Sequence, residues 1–256
     1  MYFDTHAHYD HGRFKDRGKL LDSLNENGVD LILNIGIDRG SSLNSIKMAQ
    51  VFPFMYASAG FHPHNASAFT SLDEIRSFAK MPKVVALGEM GLDFHYNFSP
   101  RDVQEEVFKA QLTLAPELDM PVIIHCREAV NEVYTILKAA NLQRENPGVM
   151  HCYSGDLTMA EKFAEMGYFL GIGGPVTYKN AKNIKEVVKH IPLEKLLIET
   201  DAPYLAPEPN RGKRNDSSNL QYIANAIGEL KNISAEDVAK TTMENGLRLF
   251  AGISSV

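Results

Sequence analysis

Residues 148–172, GVMHCYSGDLTMAEKFAEMGYFLGI, contain one complete strand–helix–strand unit. The apolar run at 148–150 has the length of a buried strand, and a second such run covers 168–172. Between them, TMAE at 158–161 has the spacing of a helix capping box, and Gly167 is typical of the residue that ends a helix. The stretch therefore predicts two parallel strands joined by a helix, which is the repeating unit of α/β proteins.

Runs of the same kind occur along the whole chain. The candidate strands begin at a mean spacing of about 28 residues, close to one strand–helix unit each. They cover residues 2–5, 30–35, 55–60, 83–88, 121–124, 148–150, 168–172 and 195–199. These units close most simply into a single (β/α)8 TIM barrel, although an open doubly wound sheet has a similar pattern. We expect one domain over residues 1–256, with an extra C-terminal helix that begins at Ser234.

Composition and charge exclude several classes of protein. The chain has 256 residues, of which 44% are hydrophobic and 23% charged, as in ordinary globular proteins. Lys and Arg number 26 against 32 Asp and Glu, so the net charge of −6 gives no global attraction to nucleic acid or an anionic membrane. No apolar stretch has the length of a membrane helix, and we expect no secretory signal. Together with only 2 cysteines, these features predict a cytoplasmic protein.

Six polar residues end or follow the predicted strands, at the positions where barrel enzymes carry their catalytic groups. They are His6, His8, Glu89, His125, His151 and Asp201. A single histidine at the end of a strand usually has a structural role. Several polar residues buried together at one end of a barrel need partners, because the burial of unpaired polar groups is costly. Imidazole with carboxylate suits Zn²⁺, Mn²⁺ or Fe²⁺ better than Ca²⁺, and this set is too large for one tetrahedral zinc ion. The pattern therefore predicts a site for two divalent metal ions rather than one.

A group of motifs is shared with a known family. The motifs are DTHAH at 4–8, GFHPH at 60–64, GEMGLD at 88–93, IHCR at 124–127, HCYSG at 151–155 and ETDAPYL at 199–205. Over essentially the whole chain, they resemble the TatD family of metal-dependent deoxyribonucleases, in the amidohydrolase-like barrel superfamily. The resemblance implies two metal sites that share Glu89 as a bridge. One would be held by His6, His8, Glu89 and Asp201, and the other by Glu89, His125 and His151.

The chain departs from the family pattern in two places. Residues 216–218, DSS, stand where the family usually has Glu-Pro after Asn215, so contacts at the substrate edge are less defined. Pro116 lies inside the helix that the SPRD pattern predicts to begin at Ser99. We expect Pro116 to kink or end that helix, because proline removes a backbone hydrogen bond.

The resemblance implies 3′→5′ exonuclease or deoxyribonuclease activity with two divalent ions per chain, for which Zn²⁺, Mn²⁺ and Mg²⁺ are candidates. Catalytic roles are expected for Asp201, Glu89, His62 and His64. Asp201 would be the general base, and Glu199 would orient a ligand or form a salt bridge. His62 and His64 would contact the scissile phosphate or protonate the leaving oxygen, unless they only stabilise a loop. DNA is the expected substrate, and RNA stays open as a second one.

Five further residues are expected to bind the substrate. They are Arg127, Tyr153, Arg211, Lys213 and Arg214. The four cations suit phosphate groups, because arginine in particular matches phosphate geometry with two hydrogen bonds. The alternative is that each is an ordinary solvated surface charge.

Three classes of function are compatible with the chain. The first is a metal-dependent nuclease on single-stranded or frayed DNA, with a role in repair or turnover. The second is a hydrolase of small C–N, ester or phosphoester substrates, and many such enzymes use a carboxylated lysine on the fourth strand. Here that strand ends in Glu89, and Lys83 lies at its other end. The third is a non-enzymatic barrel with a structural metal. We expect the nuclease.

Overall fold

The computed structural model describes residues 1–253, so residues 254–256, the end of the predicted domain range, lie outside the described part of the chain. Within residues 1–253, an 8-stranded parallel sheet has its strands in chain order. The strands are β1 (Tyr2–Ala7), β2 (Val29–Asn34), β3 (Met55–Ala59), β4 (Val84–Asp93), β5 (Val122–Arg127), β6 (Gly148–Met150), β7 (Phe169–Ile172) and β8 (Leu196–Ile198). The predicted TIM barrel is confirmed. The doubly wound alternative is wrong, because that fold does not keep its strands in chain order.

The barrel closes where β8 meets β1. The backbone N–H of His8 donates to the carbonyl oxygen of Ala202 at 2.7 Å. Deeper in the barrel wall, the buried carboxylate of Asp4 accepts hydrogen bonds from the hydroxyl groups of Thr200 at 2.6 Å and Ser217 at 2.5 Å. The first strand therefore depends for its position on the end of β8 and on the loop that follows.

The helices alternate with the strands, as the sequence pattern predicts. Within residues 1–253 they are α1 (Arg17–Leu24), α2 (Arg39–Val51), α3 (Leu72–Ala79), α4 (Arg101–Leu112), α5 (Leu114–Leu118), α6 (Val130–Ala140), α7 (Leu157–Glu165), α8 (Lys182–His190), α9 (Leu220–Lys231) and α10 (Ala235–Leu249). The predicted extra C-terminal helix is α10. Its cap is the predicted one, since the Ser234 hydroxyl accepts a hydrogen bond from the N–H of Asp237 at 3.0 Å.

In the region of α4 and α5, the predicted start of the helix is wrong and the predicted effect of Pro116 is confirmed. The helix does not begin at Ser99: α4 begins at Arg101, and the Ser99 hydroxyl instead donates to the carbonyl oxygen of His64 at 3.1 Å. The expected effect of Pro116 is present, because α4 ends before it and Pro116 lies in the separate short helix α5.

Two hydrophobic clusters stabilise the barrel. The first lies between the strands and the surrounding helices. The second takes side chains from all the strands, such as Phe3 of β1, Ile123 of β5 and Leu197 of β8, and fills the barrel interior. Phe250, directly after α10, joins it, and its ring centroid lies 6.0 Å from that of Phe3. The C-terminal helix thus closes the amino-terminal end of the barrel, and the carboxyl end is left for polar groups.

Two further expectations concern the whole chain. In the described part of the chain, none of the helices has both the length and the apolar character that a bilayer span requires. Cys126 and Cys152 are both free thiols, in agreement with the expected lack of a disulfide framework.

Candidate metal centre

The six predicted ligand residues converge at the carboxyl ends of the strands. Three lie within strands: His6 in β1, Glu89 in β4 and His125 in β5. Three follow strands: His8 after β1, His151 after β6 and Asp201 after β8. All but His6, which is buried beneath them, line a cavity of about 750 Å³. Four imidazoles and two carboxylates therefore meet on the floor of one open cavity.

One part of this site is the β1/β8 ligand group, which we define as His6, His8 and Asp201. The Nε2 atoms of His6 and His8 lie 3.3 Å apart, and Nε2 of His8 lies 3.4 Å from Oδ1 of Asp201. Glu89 reaches the same point, with its Oε2 3.3 Å from Nε2 of His6. Atoms bound about 2.1 Å from a tetrahedral zinc ion are about 3.4 Å from one another, so these spacings fit a divalent cation.

The second part is the β5/β6 ligand group, which we define as His125 and His151. Nδ1 of His125 lies 2.9 Å from Oε1 of Glu89, and Nε2 of His151 lies 3.9 Å from the same oxygen. A carboxylate stands behind each ring: Oδ2 of Asp93 is 3.1 Å from Nε2 of His125, and Oε1 of Glu199 is 2.8 Å from Nδ1 of His151. The Asp93 contact is aligned as a hydrogen bond, whereas the Glu199 contact is close but not so aligned. Carboxylates in this position orient metal-binding imidazoles and raise their basicity.

The carboxylates of the site need positive charge beside them. Burial alone would raise the pKa of Glu89, but the surrounding histidines lower it well below its ordinary range. Burial would likewise lower the pKa of His151, yet the carboxylates of Glu199 and Glu89 raise it to about 10. In the metal-free protein, a proton on a histidine whose pKa is raised, such as His151, thus balances carboxylate charge, and a divalent cation would replace it. The residues present therefore fit a divalent-metal centre.

Two backbone features position the central groups. Gly91 has φ +144, and a Cβ there would collide with the carbonyl oxygen of His125, so β4 and β5 can lie this close only with glycine. Asp201 has φ +56, in the left-handed region that aspartate tolerates better than most residues. Its N–H donates to the carbonyl oxygen of His6 at 2.9 Å. The strand contact and the turn together bring Asp201 and His125 to the cavity floor.

His62 and His64 line the same cavity. The backbone N–H of His64 donates to Nδ1 of His62 at 3.1 Å, so a neutral His62 ring carries its proton on Nε2. Burial and the neighbouring His125 lower the pKa of His62 well below its ordinary range, which keeps the ring neutral. Its Nε2 lies 3.6 Å from Oε1 of Glu89, beyond hydrogen-bond distance. That N–H is therefore free to donate to a group in the cavity.

The residues predicted to bind the substrate fall in two places. Arg127 lines the main cavity. Tyr153 lines a smaller adjoining cavity of about 360 Å³, to which Arg127 and His151 also contribute. The Tyr153 hydroxyl donates to the carbonyl oxygen of Asp156 at 2.8 Å, so its polar atom is already engaged within its own loop.

The three cations of residues 211–214 lie away from the cavity lining. The guanidinium of Arg211 lies over the ring of Tyr178, 4.3 Å from its centroid. Arg214 forms a two-point ion pair with Asp16, at 2.5 and 3.0 Å. A role in substrate binding for Arg211, Lys213 and Arg214 stays a prediction.

Asp93 and the aromatic rim of the cavity are functional features that were not predicted from the sequence. β4 continues to Asp93, beyond the predicted run 83–88, and the buried Asp93 carboxylate binds both His125 and His64. Asp93 lies four residues after Glu89, so in a strand with alternating side chains both point to the same side. A predicted β4 that continued to residue 93 would therefore have placed Asp93 beside Glu89. The rings of Tyr96 and Phe98 also line the cavity. They stand on a loop, where strand alternation gives no signal.

Comparisons with known proteins agree with this geometry. A family model described as TatD-related DNase matches residues 3–251. The chain is 44% identical over 253 residues to YabD of Bacillus subtilis (strain 168), named an uncharacterized metal-dependent hydrolase, with 98% of this chain and 99% of that protein covered. It is 37% identical over 245 residues to the 3′-5′ ssDNA/RNA exonuclease TatD of Rahnella sp. (strain Y9602), with 93% of each chain covered.

A solved structure gives the same result. The crystal structure of YjjV, a TatD homologue from Escherichia coli K12, matches with a TM-score of 0.90 and 31% sequence identity over 98% of each chain. The chain therefore belongs to the TatD-related DNase family and is a metal-dependent hydrolase.

Proposed function

We propose that this TatD-family hydrolase is a two-metal nuclease that removes nucleotides from the 3′ ends of single-stranded or frayed DNA. The observation that carries the proposal is the convergence of two ligand groups on the two oxygens of Glu89. The similarity to a protein named as a 3′-5′ ssDNA/RNA exonuclease supports the substrate class and makes RNA a second candidate substrate. A role in DNA repair or turnover would follow from such an activity.

The resemblance to the TatD family divides the ligands between two ions, and Glu89 lies in one cluster with His6 and His151 and in another with His125. His6, His8 and Asp201 would hold one ion and His125 and His151 the other, with Glu89 shared. When bound, a pair of divalent ions lowers the pKa of water and stabilises charge on the attacking and leaving oxygens of a phosphodiester. The candidate metals are Zn²⁺, Mn²⁺ and Mg²⁺.

Asp201 would accept a proton from the attacking water. Burial alone would raise its pKa, but a hydrogen bond from His8 and the charge of His151 lower it, so the carboxylate is ionised. It lines the cavity directly, and its left-handed backbone turn holds it there. An ionised carboxylate in reach of the water is what a general base requires.

His62 would donate a hydrogen bond to the phosphate or to the leaving oxygen. Its neutral ring carries the proton on Nε2, which faces the cavity without a firm acceptor. The His64 ring is held by Asp93 at 2.9 Å and supports the position of His62 through the backbone N–H that fixes its tautomer. Arg127, exposed at the same cavity, would bind a phosphate oxygen.

The fourth strand argues against the alternative of a small-substrate hydrolase with a carboxylated lysine. Glu89 occupies the cavity floor, where the shared ligand is needed. The ammonium of Lys83 lies at the other end of β4 and donates to the carbonyl oxygens of Phe52 at 3.0 Å and Met55 at 3.1 Å. That lysine cannot reach the metal ligands.

The test is a nuclease assay on single strands labelled at the 5′ or the 3′ end, with Mg²⁺, Mn²⁺ or Zn²⁺ added to chelator-treated protein. The 5′-labelled strand should shorten one nucleotide at a time, and the 3′-labelled strand should release a labelled mononucleotide at once. A strand blocked by a 3′ phosphorothioate linkage should resist. Hydrolysis of small amides or esters without hydrolysis of DNA would contradict the proposal.

A further inference from the structure

Exposed apolar side chains are concentrated at the mouth of the catalytic cavity. Of the large hydrophobic side chains exposed among residues 1–253, half line this cavity: Tyr96, Phe98, Tyr204 and Leu205. All the aromatic members of that exposed set are at the mouth, and Phe98 is 69% exposed. Single exposed apolar residues are normal, but a cluster of them beside a polar site marks a binding surface.

Tyr96 and Phe98 stand on the loop between β4 and α4, which is held firmly from below. The buried Asp93 accepts a hydrogen bond at Oδ1 from the N–H of Tyr96 at 2.9 Å. The side-chain amide of the buried Gln104 donates to the carbonyl oxygens of Asp93 at 3.1 Å and Ser99 at 2.8 Å. The loop thus has its shape before a substrate arrives, which lowers the entropic cost of binding to its rings.

The two rings form one surface next to the metal ligands. Tyr96 and Phe98 stack with their centroids 5.4 Å apart and their planes 10° from parallel. The ring of His64 packs edge-on against Phe98 at 4.7 Å. The guanidinium of Arg127 lies 4.7 Å from the centroid of Tyr96. Because the rings already stack on each other, a further aromatic ring can be added only on an outer face.

We propose that Tyr96 and Phe98, beside Arg127, form a stacking platform for an unpaired base of a nucleotide next to the scissile phosphodiester, and that this platform selects single strands. The inference rests on the proposed nuclease function. A base inside a duplex has both faces covered by its neighbours, whereas an unpaired base can stack on protein rings. The positive charge of Arg127 suits the phosphate attached to the stacked nucleoside.

The charge of the whole chain makes such a platform useful. With a net charge of −6, the protein has no general electrostatic attraction to a polyanion. Base stacking is attractive without net charge and tolerates any base, because every base has a π face. The platform would therefore supply affinity for strand ends regardless of sequence.

The test compares Phe98→Leu and Tyr96→Leu with wild type on a single-stranded deoxyadenosine oligomer. Leucine keeps apolar bulk and removes the π face, so KM should rise about 5- to 100-fold while kcat changes less than about twofold. Tyr96→Phe keeps the π face and should rescue most of the KM increase caused by Tyr96→Leu. Phe54→Leu is the matched control, because it makes the same change in the Phe52–Phe54 ring pair, 5.7 Å apart, at the other end of the barrel.

An abasic nucleotide placed on either side of the cleaved bond identifies the stacked base. At one of the two positions, the wild type should lose affinity by the same factor, and the Phe98→Leu penalty should disappear. A penalty that persists on both abasic strands, or variants that keep the wild-type KM on the intact strand, would overturn the platform.

Binding separates this inference from the proposed activity. If the wild type cleaves no DNA, the nuclease proposal fails, and the platform is judged by fluorescence anisotropy of a labelled single strand. Binding that weakens about 5- to 100-fold in Phe98→Leu, but not in Phe54→Leu, supports the platform. Equal binding by both variants, or no binding by wild type, overturns it.

Discussion

The β1/β8 and β5/β6 ligand groups share Glu89 but differ in what lies behind their imidazole rings. Behind His125, Oδ2 of Asp93 lies 3.1 Å from the ring nitrogen Nε2. Behind His151, Oε1 of Glu199 lies 2.8 Å from the ring nitrogen Nδ1. In the β1/β8 ligand group, Nδ1 of His6 is buried and has no hydrogen-bond partner among residues 1–253. One group therefore has carboxylate support for each ring, and in the other the deepest ring has none.

This difference indicates unequal metal affinities. A carboxylate behind an imidazole orients the ring and increases its basicity, and its loss typically weakens metal binding about 10- to 100-fold. We expect the β5/β6 ligand group to retain its ion more firmly and the β1/β8 ligand group to exchange its ion more readily. The proposed general base, Asp201, belongs to the group with the weaker support.

The largest effect is expected for Glu89→Gln, which removes the one residue common to both groups. Both ions should be lost and nuclease activity should fall by more than about 10⁴-fold, because the shared charge that holds them is gone. Metal content by mass spectrometry, with circular dichroism for the fold, tests this. Glu106→Gln on the exposed face of α4 is the control. A variant that keeps two ions and the wild-type rate would contradict the role of Glu89 as the ligand shared by the two groups.

Asp201→Asn should affect only the β1/β8 ligand group. The amide cannot accept the proton, so kcat should fall about 10²- to 10⁴-fold, the range typical of a lost general base. The β5/β6 ligand group should keep its ion, so metal content should fall by no more than half. An unchanged kcat would remove Asp201 from proton transfer and leave it as a ligand alone.

Asp93→Asn addresses the support behind His125. The amide retains Oδ1 for the turn at Tyr96 but loses the charge facing the ring, so metal affinity of the β5/β6 ligand group should fall about 10- to 100-fold. Competition with a fluorescent chelator measures this, and Asp102→Asn in the first turn of α4 is the matched control. If Asp93→Asn released metal from the β1/β8 ligand group instead, the proposed inequality would be reversed.

The smallest effect is expected from a pH change of one unit. His151 in the metal-free protein has its pKa raised to about 10 by Glu199 and Glu89 despite burial, so at neutral pH a proton must leave before metal binds. Affinity should therefore fall by roughly tenfold for each unit that pH drops below that value. Glu199→Gln removes the charge that raises the pKa and should flatten this dependence. Calorimetry in buffers of different ionisation enthalpy counts the released protons, and equal counts in both proteins would contradict the role of Glu199.

Much of the fold could be predicted because its signals are local. Each strand is an apolar run with turn residues on both sides, and the start of α10 is marked by the Ser234 cap itself. The ligand set could be predicted for a related reason: parallel strands of a barrel end at one place, so polar residues at their ends must meet. His6 and His125 lie far apart in sequence, but the strand pattern alone brings them together.

The remaining features depend on tertiary contacts. β4 extends beyond the predicted run 83–88, and it can do so because Gly91 packs closely against the backbone of His125. Asp93 lies in that extension and was not predicted. The exposure of Phe98 depends on how Gln104 and Asp93 hold the loop, and no local pattern distinguishes an exposed ring from a buried one.

The closure of the barrel sets the order in which the site can be completed on the ribosome. The hydrogen bonds of Asp4 span 196 residues to Thr200 and 213 residues to Ser217. At about 5 to 20 residues per second, synthesis of that stretch takes about 10 to 40 s. Throughout this time His6 of β1 and His8 directly after it have been made, but β8, which closes the barrel beside β1, and Asp201 have not. The end of the protein that is made first is therefore the last to mature, and its metal can be loaded only when the chain is almost complete.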